Sequence, residues 1–286
     1  MAPHIHTLIR KDPSYPARFA PLPGAPAQLF VRGALPHEHI PAIAIVGTRK
    51  ATREGREMAR MLARTLAGHG IVIVSGLALG IDAAAHEGAL DAHGKTVAVL
   101  GCGIDTIYPP SHESLGRRIE ERGALVSEYP PGTPAYPNQF LERNRIISGL
   151  SDGVVIVEAP IASGALATAR HAADQGREVF VLPGPAGHPH YEGSHMLIRE
   201  GARLIRNAAD LMEDLPVLAR VMADTPTSRV PSHDPILMVL ATSTEPLSVD
   251  TIAEATTLEP NIVLARLTEL TLDGAVRETK GKFTIL

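Results

Sequence analysis

Between Ala42 and Leu215 the chain alternates short apolar runs with amphipathic stretches, and nothing else in it restricts the fold as strongly. Seven runs have strand character: Ala42–Val46, Ile71–Val74, Thr96–Leu100, Ala124–Ser127, Val154–Glu158, Glu178–Leu182 and Ala202–Ile205. Helical spacing fills most of the gaps, over Arg53–His69, Ile81–His93, Ser111–Arg122, Leu141–Leu150, Leu166–Gln175 and Ser194–Glu200. Gly70, Gly94, Gly123, Gly176 and Gly201 stand where those helices need a C-terminal cap. Strands that are apolar along their whole length are covered on both faces, and strand–helix alternation lays them parallel. The expected fold is therefore α/β: a Rossmann-like, doubly wound, mostly parallel sheet. Ligands of such a sheet gather at the carboxyl ends of its strands.

The flanks differ in character. Residues 1–40 are proline-rich and weakly periodic, and read as an extended N-terminal arm with a short strand near Gln28–Arg32 packing on the main domain, 41–215. Residues 216–233 read as a linker. Residues 234–286 read as a small winged helix, with helices near Ile236–Leu240, Val249–Thr256 and Glu259–Asp273. Its wing pairs Val276–Glu278 with Phe283–Leu286 around Lys280, Gly281 and Lys282.

Composition narrows the function classes. At 44% hydrophobic and 20% charged the chain forms a core, and its net charge of −4 supplies no global field for nucleic acid. Any polyanion site has to be a local cluster. The single cysteine, Cys102, excludes an internal disulfide and fits a reducing cytosol. No run is long enough to span a bilayer, and MAPHIHTLIRKD lacks the apolar centre of a signal peptide, so the expectation is a soluble cytoplasmic protein. Tryptophan is absent and aromatics are 3%, which leaves base stacking mostly to arginine planes, histidines and the few Tyr and Phe.

Glycine-rich junctions at the strand ends are the candidate sites. In Ile71–Asp82 (IVIVSGLALGID) a β-branched strand stops at Ser75 and Gly76, and a helix begins near Ile81. Such a turn, through Ser75, Gly76, Leu77, Ala78 and Gly80, aims backbone N–H groups outward beside a helix N-terminus and can cradle an anion. Similar junctions occur at Gly47, Thr48 and Arg49, followed by Lys50 and Arg53, and at Ser163 and Gly164, followed by Thr168. Arg56 reads as part of a solvated helix face. Arg143, Asn144 and Arg145 open another helix; the two arginines are two positions apart and cannot share a direction. One reaches phosphate or base, and the other pairs with a carboxylate such as Glu128 or Glu158. Ser163 has the residue type of an N-cap, a role compatible with an anion site. The Gly101–Cys102–Gly103 turn, a lone Gly-x-Gly, reads as a tight turn only. His188, His190 and His195 cluster without cysteines, so no metal is expected, and no nucleophile–base arrangement or cofactor motif stands out.

At these motifs the chain resembles the DNA-processing protein A (DprA/Smf) family. The matching stretches are VGTR at Val46–Arg49, SGLALGIDAAAH at Ser75–His86, VAVLGCGID at Val97–Asp105 and RNRIISGLS at Arg143–Ser151. SGALATARHA from Ser163, REVFVLPG from Arg177, Gly193–His195 and Leu197–Ala202 complete a series that runs in order over about Tyr15 to Leu215. The C-terminal unit looks like the winged helix many members carry. The resemblance implies a cytoplasmic, homodimeric single-stranded DNA-binding protein without catalytic activity. Such a protein protects incoming strands during natural transformation and loads the RecA recombinase. Arg49 matches the family's DNA-contacting arginine. Some members carry a DNA-binding lysine after Tyr-Pro, where this chain has Pro110; Lys50, Lys95 and His112 are the candidates to replace it.

Two rivals remain. A nucleotide phosphoribohydrolase of the lysine-decarboxylase-like group shares Ser-Gly turns on a Rossmann-like core, but the Pro-Gly-Gly-x-Gly-Thr loop of that group is absent here, Pro183–Pro185 being the nearest approach. A protein-interaction adaptor would act through the winged helix, where four basic residues face eight acidic ones over 234–286.

Overall fold

The computed structural model describes residues 4–218, 234–243, 245–272, 276–279 and 281–285. The chain divides into two compact units, 1–224 and 225–286. In the first, a nine-stranded sheet has the order β1-β2-β6-β5-β4-β3-β7-β8-β9. The strands are β1 (Ile5–Ile9), β2 (Gln28–Gly33), β3 (Ala42–Val46), β4 (Val72–Ser75), β5 (Thr96–Val99), β6 (Ala124–Ser127), β7 (Gly153–Ile156), β8 (Glu178–Val181) and β9 (Arg203–Leu204). From β6 to β9 every pairing is parallel; β1 and β2 add an antiparallel edge. The alternating pattern thus yields the expected α/β sheet, and the segment near Gln28 is a strand of that sheet. β1 was not expected: its side chains are half-buried or exposed, so it carries little period-two signal.

Period two sorts the core. Ala42, Ala44 and Val46 face one side, where α4 (Pro137–Gly149), α5 (Gly164–Asp174) and the arm residues Tyr15 and Phe19 cover them. Ile43 and Ile45 face the other, under α1 (Arg53–Gly68), α2 (Ile81–Asp91) and α7 (Ala208–Asp214). A third cluster packs Leu115 and Ile119 of α3 (Glu113–Arg122) on Leu125 and Phe30. α6 (Glu192–Arg199) adds Leu197 to the first cluster. Leu218 is fully buried in the second cluster, so 216–218 pack with the main unit and are not linker; 219–233 lie outside the described residues.

The order places the switch point between β3 and β7. The chain runs from β3 outward through β4, β5 and β6, then returns to the other side of β3 as β7. The two strands pair in parallel from Ile43 with Gly153 to Val46 with Ile156. Their loops diverge beyond that pair, which opens a crevice at the carboxyl ends.

The C-terminal unit has helices Pro235–Thr242, Val249–Thr256 and Pro260–Leu272 and a three-stranded sheet. Strand Lys282–Ile285 lies between Leu247–Ser248 and Val276–Thr279. Ile236, Leu240, Ile252, Val263, Leu267 and Phe283 make its own core. This is a winged helix. Among the described residues, no helix is long and apolar enough to cross a membrane.

Candidate functional site

At the switch point lies a cleft of about 420 Å³. Its walls are the β3–α1 turn (Val46–Lys50), the start of α4 with Phe140, Leu141, Arg143 and Asn144, and the N-terminus of α5 with Ser163, Gly164 and Thr168; Ala78 and Asp82 also line it.

The scaffold beneath is tightly bonded. Thr52 caps α1, its Oγ accepting the Gly55 N–H at 2.9 Å. Glu158, fully buried at the end of β7, receives the Thr52 N–H at 3.0 Å, the Thr52 hydroxyl and the Tyr191 hydroxyl at 2.9 Å. Burial acts to raise the Glu158 carboxyl, but these donors and His190 hold it below its ordinary value. The Thr48 N–H donates to the Glu158 carbonyl at 2.8 Å, which joins the two walls. Gly80 stands at φ 82°, where a Cβ would meet the Thr48 carbonyl.

The two arginines of α4 divide as their spacing requires. Arg145 forms the carboxylate pair, donating to both oxygens of Glu128 at 2.9 and 2.6 Å. Arg143 is buried and lines the cleft, its Nη1 donating to the carbonyls of Gly76, at 2.7 Å, and Val99. Gly76 leaves room for that guanidinium, since a Cβ would lie 2.5 Å from Nη2. Burial pulls the Arg143 guanidinium down to about 10, with Asp82 opposing and Arg49 assisting. Asn144 donates to the Gly164 carbonyl at 3.2 Å and accepts from Arg143 Nε at 3.3 Å.

Several expected contacts are corrected. The β4–α2 turn is not an open cradle: the N–H groups of Gly76 and Ala78 both donate to Asp82 Oδ2, at 3.1 and 3.4 Å. Ser75 and Leu77 are fully buried, and Ser75 Oγ donates to the Ile45 carbonyl at 2.7 Å. Arg53 stands outside the cleft lining and pairs with Glu54 at 3.2 Å and Glu57 at 3.9 Å on its own helix. Arg145 is spent on Glu128. Of the expected residues, those that line the cleft are Gly47–Lys50, Ala78, Arg143, Asn144, Ser163, Gly164 and Thr168. Ser163 Oγ accepts the Ala165 N–H at 3.2 Å, the expected N-cap. Among the candidates to replace the family lysine, Lys50 lines the cleft, His112 bonds the Leu77 carbonyl at 2.9 Å, and Lys95 precedes β5 at the opposite end of the sheet.

The aromatic contribution is larger than composition suggests. Arg49 lies over the Phe140 ring at 5.3 Å, and Phe140 meets Tyr108 with centroids 5.3 Å apart. Three segments distant in the chain build this stack, so no local motif announces it. Leu79, Tyr136, Leu141 and Ile161 line the cleft or adjoin lining residues and are 48 to 63% exposed, an apolar rim around a cationic floor. Among the described residues Arg49 and Lys50 make no ion pair.

Comparison with known proteins bears on this edge. The family model for DNA recombination-mediator protein A matches residues 6–216, and that for the DprA winged helix domain matches 221–282. Protein Smf of Escherichia coli is 40% identical over 292 residues, covering 99% of this chain and 78% of that protein. The X-ray structure of DNA processing protein A from Streptococcus pneumoniae is similar at TM-score 0.69 and 36% identity, over 74% of each chain. A structure describing the single-stranded DNA binding mode of DNA processing protein A from Helicobacter pylori gives TM-score 0.66 and 32% identity, over 74% of this chain and 96% of that one.

Proposed function

This chain belongs to the DNA recombination-mediator protein A family, and on that premise we propose that its cleft binds single-stranded DNA. The observation that carries the reading is the exposed Arg49, over the Phe140 ring that in turn meets Tyr108, with Lys50 beside it, inside an apolar rim. A single strand offers both partners such an edge requires: phosphates for the cations and unpaired base faces for the rings and rim. A duplex hides its base faces. The Helicobacter pylori relative, whose structure describes single-strand binding, supports the same ligand class.

In this reading the protein is a recombination mediator and not an enzyme. It shields incoming strands during natural transformation and loads RecA recombinase, acting as a homodimer in the cytoplasm. Asp82 and Arg143 lie in the cleft but are committed to backbone amides and carbonyls, which leaves neither placed as a general base. Mobility shifts with single- and double-stranded oligonucleotides across a salt series test the ligand. The single strand should bind preferentially, with a salt slope of about −0.7 per phosphate engaged. Equal binding of duplex would overturn the reading. Turnover of nucleoside monophosphates to base and ribose phosphate would replace it with the phosphoribohydrolase alternative.

A further inference from the structure

The turn between β4 and α2 has the shape of a phosphate cradle, and it is already filled. Leu77 occupies the left-handed region at φ 57°, a conformation that costs a side-chain-bearing residue about 1 kcal/mol. Its side chain is fully buried in the third core cluster, which holds it there. With Leu77 so placed, the N–H groups of Gly76 and Ala78 converge, the concavity that elsewhere receives an anion. Both donate to one oxygen, Asp82 Oδ2. Asp82 is only 5% exposed, yet it forms part of the cleft lining beside Arg143. Burial raises its carboxyl above the ordinary carboxylate value, with Arg143, the two amides and Arg49 opposing that rise; the two N–H donors on Oδ2 fix that oxygen as an acceptor.

Resting on the single-strand reading above, we propose that Asp82 is a built-in anion that closes the β4–α2 turn to phosphate and weakens the hold of the cleft on dianions relative to singly charged phosphodiesters. The Asp82 charge offsets one of the three cations that line the cleft, Arg49, Lys50 and Arg143, and a dianion loses twice as much attraction by that offset as a monoanion does. A nucleic-acid strand spreads one charge per nucleotide, so Arg49 and Lys50 can take one phosphate while the neighbouring base lies on the rim. Inorganic dianions and the terminal phosphates of free nucleotides concentrate two charges at one point and lose the most attraction through Asp82. The phosphate path therefore runs over Gly47–Lys50 and Ser163–Gly164, the two turns flanking the switch point.

The test uses sulfate, a dianion of tetrahedral shape, as competitor against a fluorescent oligothymidine on the full chain. On the wild-type protein, sulfate should displace the oligomer no better than chloride of matched ionic strength. Asp82→Asn keeps an acceptor for the two amides and removes the charge. In that variant the oligomer should bind more tightly, and sulfate should compete at about tenfold lower concentration than matched chloride, the scale of losing one close like charge. An identical sulfate-to-chloride ratio in both proteins overturns the proposal. Crystals of the wild-type protein grown in sulfate give a readout independent of the variant's folding: sulfate on the Gly76 and Ala78 amides overturns the proposal, and its exclusion from them supports it. Failure of the wild-type protein to bind the oligomer counts against the single-strand reading itself, and the crystal result still decides whether Asp82 fills the turn.

Discussion

Arg49 and Arg266 are both exposed arginines on surfaces built for contact, and they differ in what they touch. Arg49 has an aromatic ring beneath it and makes no ion pair among the described residues. Arg266, on the outer face of helix Pro260–Leu272 of the winged helix, donates to Asp234 at 2.7 Å and to Glu269 at 2.6 Å. Around Arg49 the cleft adds Lys50; around Arg266 the helix adds Ile262 and Leu264, each about half exposed. A phosphate reaching Arg266 would have to displace two carboxylates that repel it. The comparison teaches that a cation count says little about nucleic-acid binding until the partners of each cation are known. We assign the strand-binding role to the cleft and protein contacts to the winged helix.

The largest expected effect is at the cleft. Arg49→Glu should weaken single-strand binding about a hundredfold, and Arg49→Ala about tenfold with a salt slope flatter by about 0.7, both read by fluorescence anisotropy. Unchanged affinity would erase the contrast with Arg266.

A second test separates the two units by pH. His86 is fully buried, and Thr96 Oγ, which donates to the Ile73 carbonyl, lies 2.7 Å from its Nδ1. Thr96 therefore accepts from an Nδ1–H tautomer, and Nε2 is left without a partner. Burial pulls the imidazole down to about 3 from an ordinary 6.5. The unfolded chain takes up a proton near 6.5 that the folded one refuses. This contribution is thus complete above 6.5 and lost progressively as pH falls towards 3. At pH 5 the main unit should be weaker by about 2 kcal/mol than at neutral pH. Residues 234–286 contain no histidine, so the winged-helix transition should not share that shift. Urea titrations at both pH values check this, with His86→Asn expected to remove most of the slope and His171, also lowered by burial, to leave a smaller remainder.

Smaller effects probe the other side of the comparison. A chain ending at Asp224, once shown folded by circular dichroism, should keep its single-strand affinity within about threefold, as expected for loss of peripheral contacts. A collapse of affinity would give the winged helix the role assigned to the cleft. Smallest of all, Ile262→Asp should leave strand binding within about twofold while weakening any protein partner docked on that helix, measured by pull-down from a competent cell extract.

How much of this was legible varies by level. The parallel strands could be read because Ile43, Ile45, Val72 and Val74 are β-branched and buried on both faces of the sheet. β1 could not, because its edge position leaves His6 and Thr7 exposed and breaks the alternation. The glycine turns pointed to the end of the sheet where the cleft lies. Which of them is open could not be read, since that depends on Asp82 folding back onto Gly76 and Ala78. The spacing of Arg143 and Arg145 required different directions, and only the tertiary positions of Glu128, Gly76 and Val99 assign them. The stack of Arg49, Phe140 and Tyr108 was missed because its members come from three separate loops and helix starts.

The seam between β3 and β7 has a consequence for the order of synthesis. One wall of the cleft belongs to residues 46–50, and the facing walls to Phe140 and Ser163–Thr168. At roughly 5–20 residues per second, about a hundred residues must follow Arg49 through the ribosome before Glu158 can meet Thr52, a delay of about 5–20 s. Throughout that interval the emerging chain carries its cations without the rings and the α5 turn that complete their grip. On the proposed reading, strand-holding competence arrives in one late step, once Phe140 and Ser163–Thr168 have joined Arg49.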